Sequence, residues 1–213
     1  MNNIYYVKSK KTGGHYAFKT EKSKKPFENP LNYYAKLKLF KDDIVADIGA
    51  YVGEYSLYAI RQGVKKVIAY EPTPESFNLL QKNIIGNIEA KNLAVIGDDR
   101  ELVRLYLSKG IGVTNSTAKK INKSGYIEVP AINYISAVKN SSVVKIDVEG
   151  QEYDYDIIQP NLRGIILEFH PLAHTNWKDK AYKIMDKIEN AGYKSILKPK
   201  FSCGWDLTGC WQK

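Results

Sequence analysis

An α/β fold, a mostly parallel sheet with helices on both faces, is predicted by three observations in this 213-residue sequence. The first is the stretch from Asp43 to Pro72. A short apolar strand (Ile44, Val45, Ala46) passes through Asp47, Gly49 and Gly53 into a helical segment, and a second strand ends on Glu71. Strand, glycine turn, helix and strand make the crossover unit of parallel sheets. The second observation is an apolar strand carrying alternate charges, VVKIDVEGQE, from Val143 to Glu152. The third is the continued alternation of apolar runs with helical periodicity, closed by two strands near Tyr193 to Lys198 and Trp205 to Trp211.

Taken in order, residues 1–40 form an extension ahead of the main domain, residues 41–213. Ile4 to Lys8 and His15 to Thr20 read as a hairpin around Thr12-Gly13-Gly14, and Leu31 to Phe40 has the apolar spacing of a helix. After Glu71, Thr73-Pro74-Glu75 opens a helix whose apolar residues are Phe77, Leu80 and Ile84 and whose stop is Gly86. Leu93 to Ile96 reads as the third strand, ending on Gly97, Asp98 and Asp99. Val103, Leu105 and Leu107 alternate as a half-exposed strand that Tyr126 to Val129 can pair with. The polar loop between them holds Asn115, Ser116 and Thr117, and loops of this length are commonly functional. Asn133 to Val138 reads as a short helix, Gly164 to Phe169 as an apolar strand, and Trp177 to Ala191 as a helix stopped by Gly192.

Composition narrows the function classes. Hydrophobic residues at 44% and aromatics at 12% indicate a globular protein. No apolar run approaches the ~18 residues of a membrane span, and the polar start lacks a signal-peptide core, so a soluble cytoplasmic protein is the expectation. The net charge of +9 invites a nucleic-acid partner, yet only Arg61, Arg100, Arg104 and Arg163 are arginines. Lysine excess is more often a solvated surface, and nucleic acid is the less favoured partner. Cys203 and Cys210 can pair across a hairpin or stay as thiols.

The glycine turn points to a cofactor. A dinucleotide fingerprint spaces its glycines G-x-G-x-x-G, whereas here the spacing is Gly49-x-x-x-Gly53. Asp47 before the turn repels a pyrophosphate but suits an ammonium and a sulfonium, the two cations of S-adenosylmethionine. Glu71, 24 residues after Asp47, stands near the offset of a ribose-binding acid. Asp98, ending the next strand, is either a contact for the adenine amino group or an ordinary turn aspartate.

In VVKIDVEGQE, strand alternation puts Lys145, Asp147 and Glu149 on one side. Buried parallel strands are normally apolar on both faces, so these charges at a strand end point to use in a site, with a structural Lys-Asp pair as the alternative. His170, with Glu168 before it and Pro171 after it, is a candidate substrate contact or proton acceptor. A metal reading from Glu168, His170 and His174 fails on spacing, since Pro171 prevents one helix from presenting both histidines; no metal is expected.

The segments DIGAYVGEYS, YEPTPESFNLL, NLAVIGD, VVKIDVEGQE and ILEFH, in this order over about residues 43–170, resemble the FkbM family of S-adenosylmethionine-dependent methyltransferases. The resemblance implies a Rossmann-like class I methyltransferase fold, with a seven-stranded, mostly parallel sheet and an antiparallel closing strand. It implies Asp47, Gly49, Ala50, Gly53, Glu71, Pro72 and Asp98 at the cofactor, and Lys145, Asp147, Glu149 and His170 at the reacting groups. It also implies O-methylation of a sugar, glycan or small metabolite. The alternatives are a methyltransferase acting on tRNA or other RNA, a non-catalytic cofactor-binding module, and, less favoured, a nicotinamide oxidoreductase.

Overall fold

The computed structural model describes residues 5–8, 15–18, 34–107, 115–117, 125–171, 175–199 and 207–213, with backbone alone at 5–8, 15–18 and 207. β1 (Tyr5–Lys8) and β2 (His15–Phe18) pair antiparallel as the expected hairpin. β3 (Ile44–Ile48), α1 (Glu54–Arg61) and β4 (Lys66–Tyr70) form the expected crossover unit. α2 (Pro74–Asn83) starts on a proline, whose missing N–H leaves no helical bond unmade. β5 (Ile88–Lys91), β6 (Ala94–Ile96), β7 (Leu102–Leu107) and β8 (Gly125–Asn133) follow. α3 (Tyr134–Val138) is capped by Asn133, whose side chain accepts from Ile135 N. The chain then runs through β9 (Val143–Ile146), a 3-10 turn at Gln151–Asp154, β10 (Gly164–Phe169), α4 (Trp177–Asn190), β11 (Lys194–Leu197) and β12 (Leu207–Gln212).

The main sheet has seven strands in the order β11-β12-β10-β9-β3-β4-β5. β10, β9, β3, β4 and β5 are mutually parallel, and β12 lies antiparallel between β10 and β11. Successive strands run outward from β3 to β5, and the chain later returns to the other side of β3 with β9 and β10. The strand order therefore reverses between β3 and β9, where a crevice opens at the carboxyl ends. One core packs α3 and α4 on one face through Tyr134, Val138, Ala181, Met185 and Ile188. The other packs α1 and α2 on the opposite face through Tyr55, Leu57, Leu79 and Leu80. No described helix is long and apolar enough to cross a membrane.

Two expectations are corrected. Leu93 to Ile96 is not the third strand of the main sheet: β6 belongs to a separate sheet, parallel to β8, which pairs antiparallel with β7. The third strand is β5, IEAK, an edge strand with little apolar content whose Glu89 pairs with Lys66 and Lys91 at 2.6 and 3.2 Å. The helix expected up to Phe40 is likewise absent over residues 35–40, which form turn and coil; Tyr34 alone of its described residues is helical. Its apolar spacing serves another end, since Leu37 is buried against Gly164 of β10. Cys203 lies outside the described residues, while Cys210 is buried on β12 and its thiol is pushed up to about 12 by burial.

Candidate active site

The turn after β3 is built from three left-handed residues, Gly49 (φ 78°), Tyr51 (φ 50°) and Gly53 (φ 90°). A Cβ on Gly49 would stand 1.8 Å from the carbonyl oxygen of Asp147, and one on Gly53 would stand 2.6 Å from Leu80 Cδ1. Only glycine lets the turn lie this close to β9 and α2. Gly49 N and Ala50 N both donate to the Tyr70 carbonyl, at 3.0 and 2.9 Å, which ties the turn to the end of β4. There the Glu71 carboxylate accepts from Tyr51 N at 2.9 Å and from Thr73 N at 2.8 Å. Burial raises its pKa to about 6 against these bonds. Pro72 is half-buried beside it, and Asn92 Nδ2 donates to the carbonyls of Glu71 and Pro72.

The end of β9 places its charges against this turn. Lys145 Nζ donates to the Gly49 carbonyl at 2.9 Å and stands 3.4 Å from Asp47 and 3.3 Å from Asp147. Asp47 is fully buried; its Oδ2 accepts from Ser56 Oγ at 2.6 Å, and its Oδ1 has no hydrogen-bond partner among the described residues. It thus lies beneath the turn, facing Lys145. Burial lowers the Lys145 pKa, but Asp147 and Asp47 reverse the effect and hold the ammonium charged. Burial alone would raise Asp147; Lys145 and His170 overcome it and keep the carboxyl below its usual range.

β10 supplies the facing groups. His170 Nε2 is 3.5 Å from both Asp147 Oδ1 and Glu149 Oε1, and its Nδ1 is 3.2 Å from Glu152. Burial disfavours its charge, yet Glu152, Glu149 and Asp147 raise its pKa to about 10, leaving the imidazole cationic at neutral pH. In this form the imidazole steadies the carboxylates of Asp147, Glu149 and Glu152 around it. Tyr34, ahead of β3, donates to Glu168 and stands 3.4 Å from Asp147 Oδ2. The loop residues Asn115, Ser116 and Thr117 bond to Thr73 Oγ1, the Glu149 carbonyl and Gln151 Oε1, so this segment links the two sides of the crevice.

The structure therefore gathers Lys145, Asp147, Glu149 and His170 around the turn of Gly49, Ala50 and Gly53, with Glu71 at its far side. Asp98 stands apart: it is exposed after β6 and gripped by Arg100 through 2.8 and 2.7 Å bonds. Sequence reasoning missed Tyr34 and Glu152. Tyr34 acts across 113 residues from Asp147 and has no local signal. Glu152 sits within the charged stretch, three positions beyond Glu149, but only the turn at Glu149 (φ 58°) and Gly150 (φ 116°) brings it behind His170.

The chain matches the Methyltransferase FkbM domain over residues 47–195. None of the curated proteins matches it. Among solved structures, it is similar to Pyrococcus horikoshii TYW2 in complex with MeSAdo, at 15% identity, 100% coverage of this chain, 72% of that chain and a TM-score of 0.53. An Agrobacterium tumefaciens SAM-dependent methyltransferase gives 11% identity, 100% and 71% coverage and a TM-score of 0.52. M. capricolum TrmK in complex with S-adenosyl-homocysteine gives 14% identity, 86% and 67% coverage and a TM-score of 0.50. These likenesses establish the fold, and the domain match spans most of the chain, from the glycine turn to β11. The chain belongs to the FkbM methyltransferase family and is an S-adenosylmethionine-dependent enzyme.

Proposed function

We propose that the enzyme methylates a hydroxyl oxygen on a sugar, glycan or small metabolite. The observation that carries this reading is the convergence of Lys145, Asp147, Glu149 and His170 on one crevice beside the Gly49 turn. The turn suits the cofactor: glycine at 49 and 53 lets it close tightly against Asp147 and Leu80, which holds its backbone beside Glu71. Glu71 retains lone pairs for ribose hydroxyls beyond those taken by Tyr51 and Thr73. Gly49, Ala50, Gly53 and Pro72 contribute backbone, and Asp47 supports them through Lys145. Asp98 would have to exchange Arg100 for an adenine amino group, so the ribose is the contact assigned to a side chain. When bound, S-adenosylmethionine supplies an electrophilic methyl group on a cationic sulfur.

The protein's own groups do the rest. Asp147 and Glu149 reach the crevice with 29% and 20% of their side chains exposed, and one of them takes the proton leaving the hydroxyl. Lys145 keeps Asp147 ionised and fixed, and His170 holds both carboxylates in place. Positioning then supplies much of the acceleration. Carboxylates lining the crevice repel a phosphodiester and tolerate a neutral polyol, which favours sugar-like acceptors over RNA despite the net charge of +9. The test is transfer of labelled methyl from the cofactor to panels of glycans, small hydroxylated metabolites and RNA. Label on a hydroxylated acceptor, reduced at least ~100-fold in Asp147→Asn with cofactor binding kept, supports the reading. Label confined to RNA, or Asp147→Asn turning over at the wild-type rate, overturns it.

A further inference from the structure

We propose that Asp147, Glu149 and His170 form a binding site for one divalent cation at the mouth of the crevice. Each of Asp147, Glu149 and His170 offers one ligand atom within 4.8 Å of the others, and His170 Nε2 is 3.5 Å from both Asp147 Oδ1 and Glu149 Oε1. These separations exceed the roughly 2.7–3.2 Å of an N–H···O hydrogen bond. They suit an ion held at about 2.1 Å by each atom, which sets neighbouring ligands about 3.0–3.4 Å apart after a small contraction.

The surroundings are those of a ligand set. A metal-binding histidine characteristically turns its other ring nitrogen to a carboxylate, which fixes the ring and makes it a better donor. His170 Nδ1 does this with Glu152, which is fully buried and held by Gly150 N and His170 N, both at 2.7 Å. Nε2 is thereby aimed at Asp147 and Glu149. Glu149 is kept in the left-handed region, at φ 58°, with its carbonyl accepting from Ser116 Oγ at 2.7 Å. Glu168, 3.9 Å from Nε2, is already engaged by Tyr34 and stands outside the set. Charge is compatible with an ion: Asp147, Glu149 and Glu152 crowd around His170, and a cation on Nε2 takes the place of the proton that supplies their counter-charge in the ion-free protein.

One imidazole with two carboxylates fits Mn²⁺ or Zn²⁺ better than Mg²⁺, which takes oxygen ligands. The partly exposed carboxylates leave the ion's remaining positions facing the crevice. A cation there lowers the pKa of an oxygen bound to it, the property an acceptor hydroxyl needs. The proposal does not depend on methyl transfer, since ion binding is measured without cofactor or acceptor.

The experiment uses the full chain after chelator treatment and dialysis. Titration with Mn²⁺, followed by electron paramagnetic resonance and calorimetry, is expected to show one site per chain. Glu149→Gln should weaken it at least tenfold, and Glu152→Gln, which leaves all three ligands in place, about 10–100-fold. Circular dichroism of each variant should match the wild type. Absence of a stoichiometric site for both Mn²⁺ and Zn²⁺ in the wild type overturns the proposal, as does Glu149→Gln binding as tightly as the wild type. S-adenosylmethionine affinity measured on the same samples separates this failure from failure of the methyltransferase site.

Discussion

Glu71, the side chain proposed to hold the ribose, is where pH should act on the cofactor half of the site. Its pKa is raised to about 6 from an ordinary 4.5, so the folded, ligand-free protein holds this proton more tightly than the unfolded chain. The stability this contributes is present below about pH 4.5 and lost as pH rises through 6, with a swing of about 2 kcal/mol. On the proposed ribose contact, cofactor binding runs the opposite way, because ribose hydroxyls would donate to the ionised carboxylate. Affinity should fall as pH drops below 6, and Glu71→Gln should bind more weakly at neutral pH with that pH dependence removed; calorimetric titration between pH 5 and 8 checks both. The charged residues of the site were legible because strand alternation exposes a misplaced Lys145, Asp147 and Glu149 in an otherwise apolar run. Tyr34 and Asp98 show the limits of that reading. Tyr34 meets Asp147 through tertiary contact alone, and the Arg100 grip on Asp98 depends on a turn whose geometry the residue types leave open.

The glycine turn makes a sharper demand at the scale of elements. Gly49→Ala must both occupy a left-handed conformation and drive a methyl group into the Asp147 carbonyl. We expect a loss of at least ~2 kcal/mol in chemical denaturation and no measurable cofactor binding. Gly209→Ala is a control on β12, opposite Leu167 and outside the residues assigned to the cofactor. Its Cβ would meet the buried Trp211 indole at 2.0 Å, so it should destabilise by roughly 1–3 kcal/mol while leaving cofactor affinity per folded molecule unchanged. Elements with apolar runs and glycine or proline punctuation, such as β3, β4, β10 and α4, were readable from sequence. β5 was not, since an edge strand of four residues with two charges carries little hydrophobic pattern. The segment 35–40 misled for the opposite reason: its Leu37 packs on Gly164 of β10 without helical geometry.

For the molecule as a whole, Asp43 joins the segment before the sheet to strands far along the chain. Its carboxylate accepts from Phe40 N at 2.7 Å, Ser142 Oγ at 2.7 Å and Arg163 Nε at 2.8 Å, and it pairs a second time with Arg163 Nη2. Burial opposes its ionisation, but these bonds win and hold its pKa below the ordinary 3.8. The stabilisation is therefore present above about pH 4 and lost as pH falls through the lowered value. Asp43→Asn should cost about 3 kcal/mol near neutrality, roughly 10 °C in melting temperature, with the difference from wild type closing in strong acid. The sheet order raises a matter of timing during synthesis. β12 lies between β10 and β11 and carries the fully buried Trp211, yet it is the last strand of the sheet to be made. While residues 207–212 remain inside the ribosome, β10 lacks its described neighbour on one side and β11 lacks its partner in the sheet, so the nascent sheet holds open edges that β12 closes.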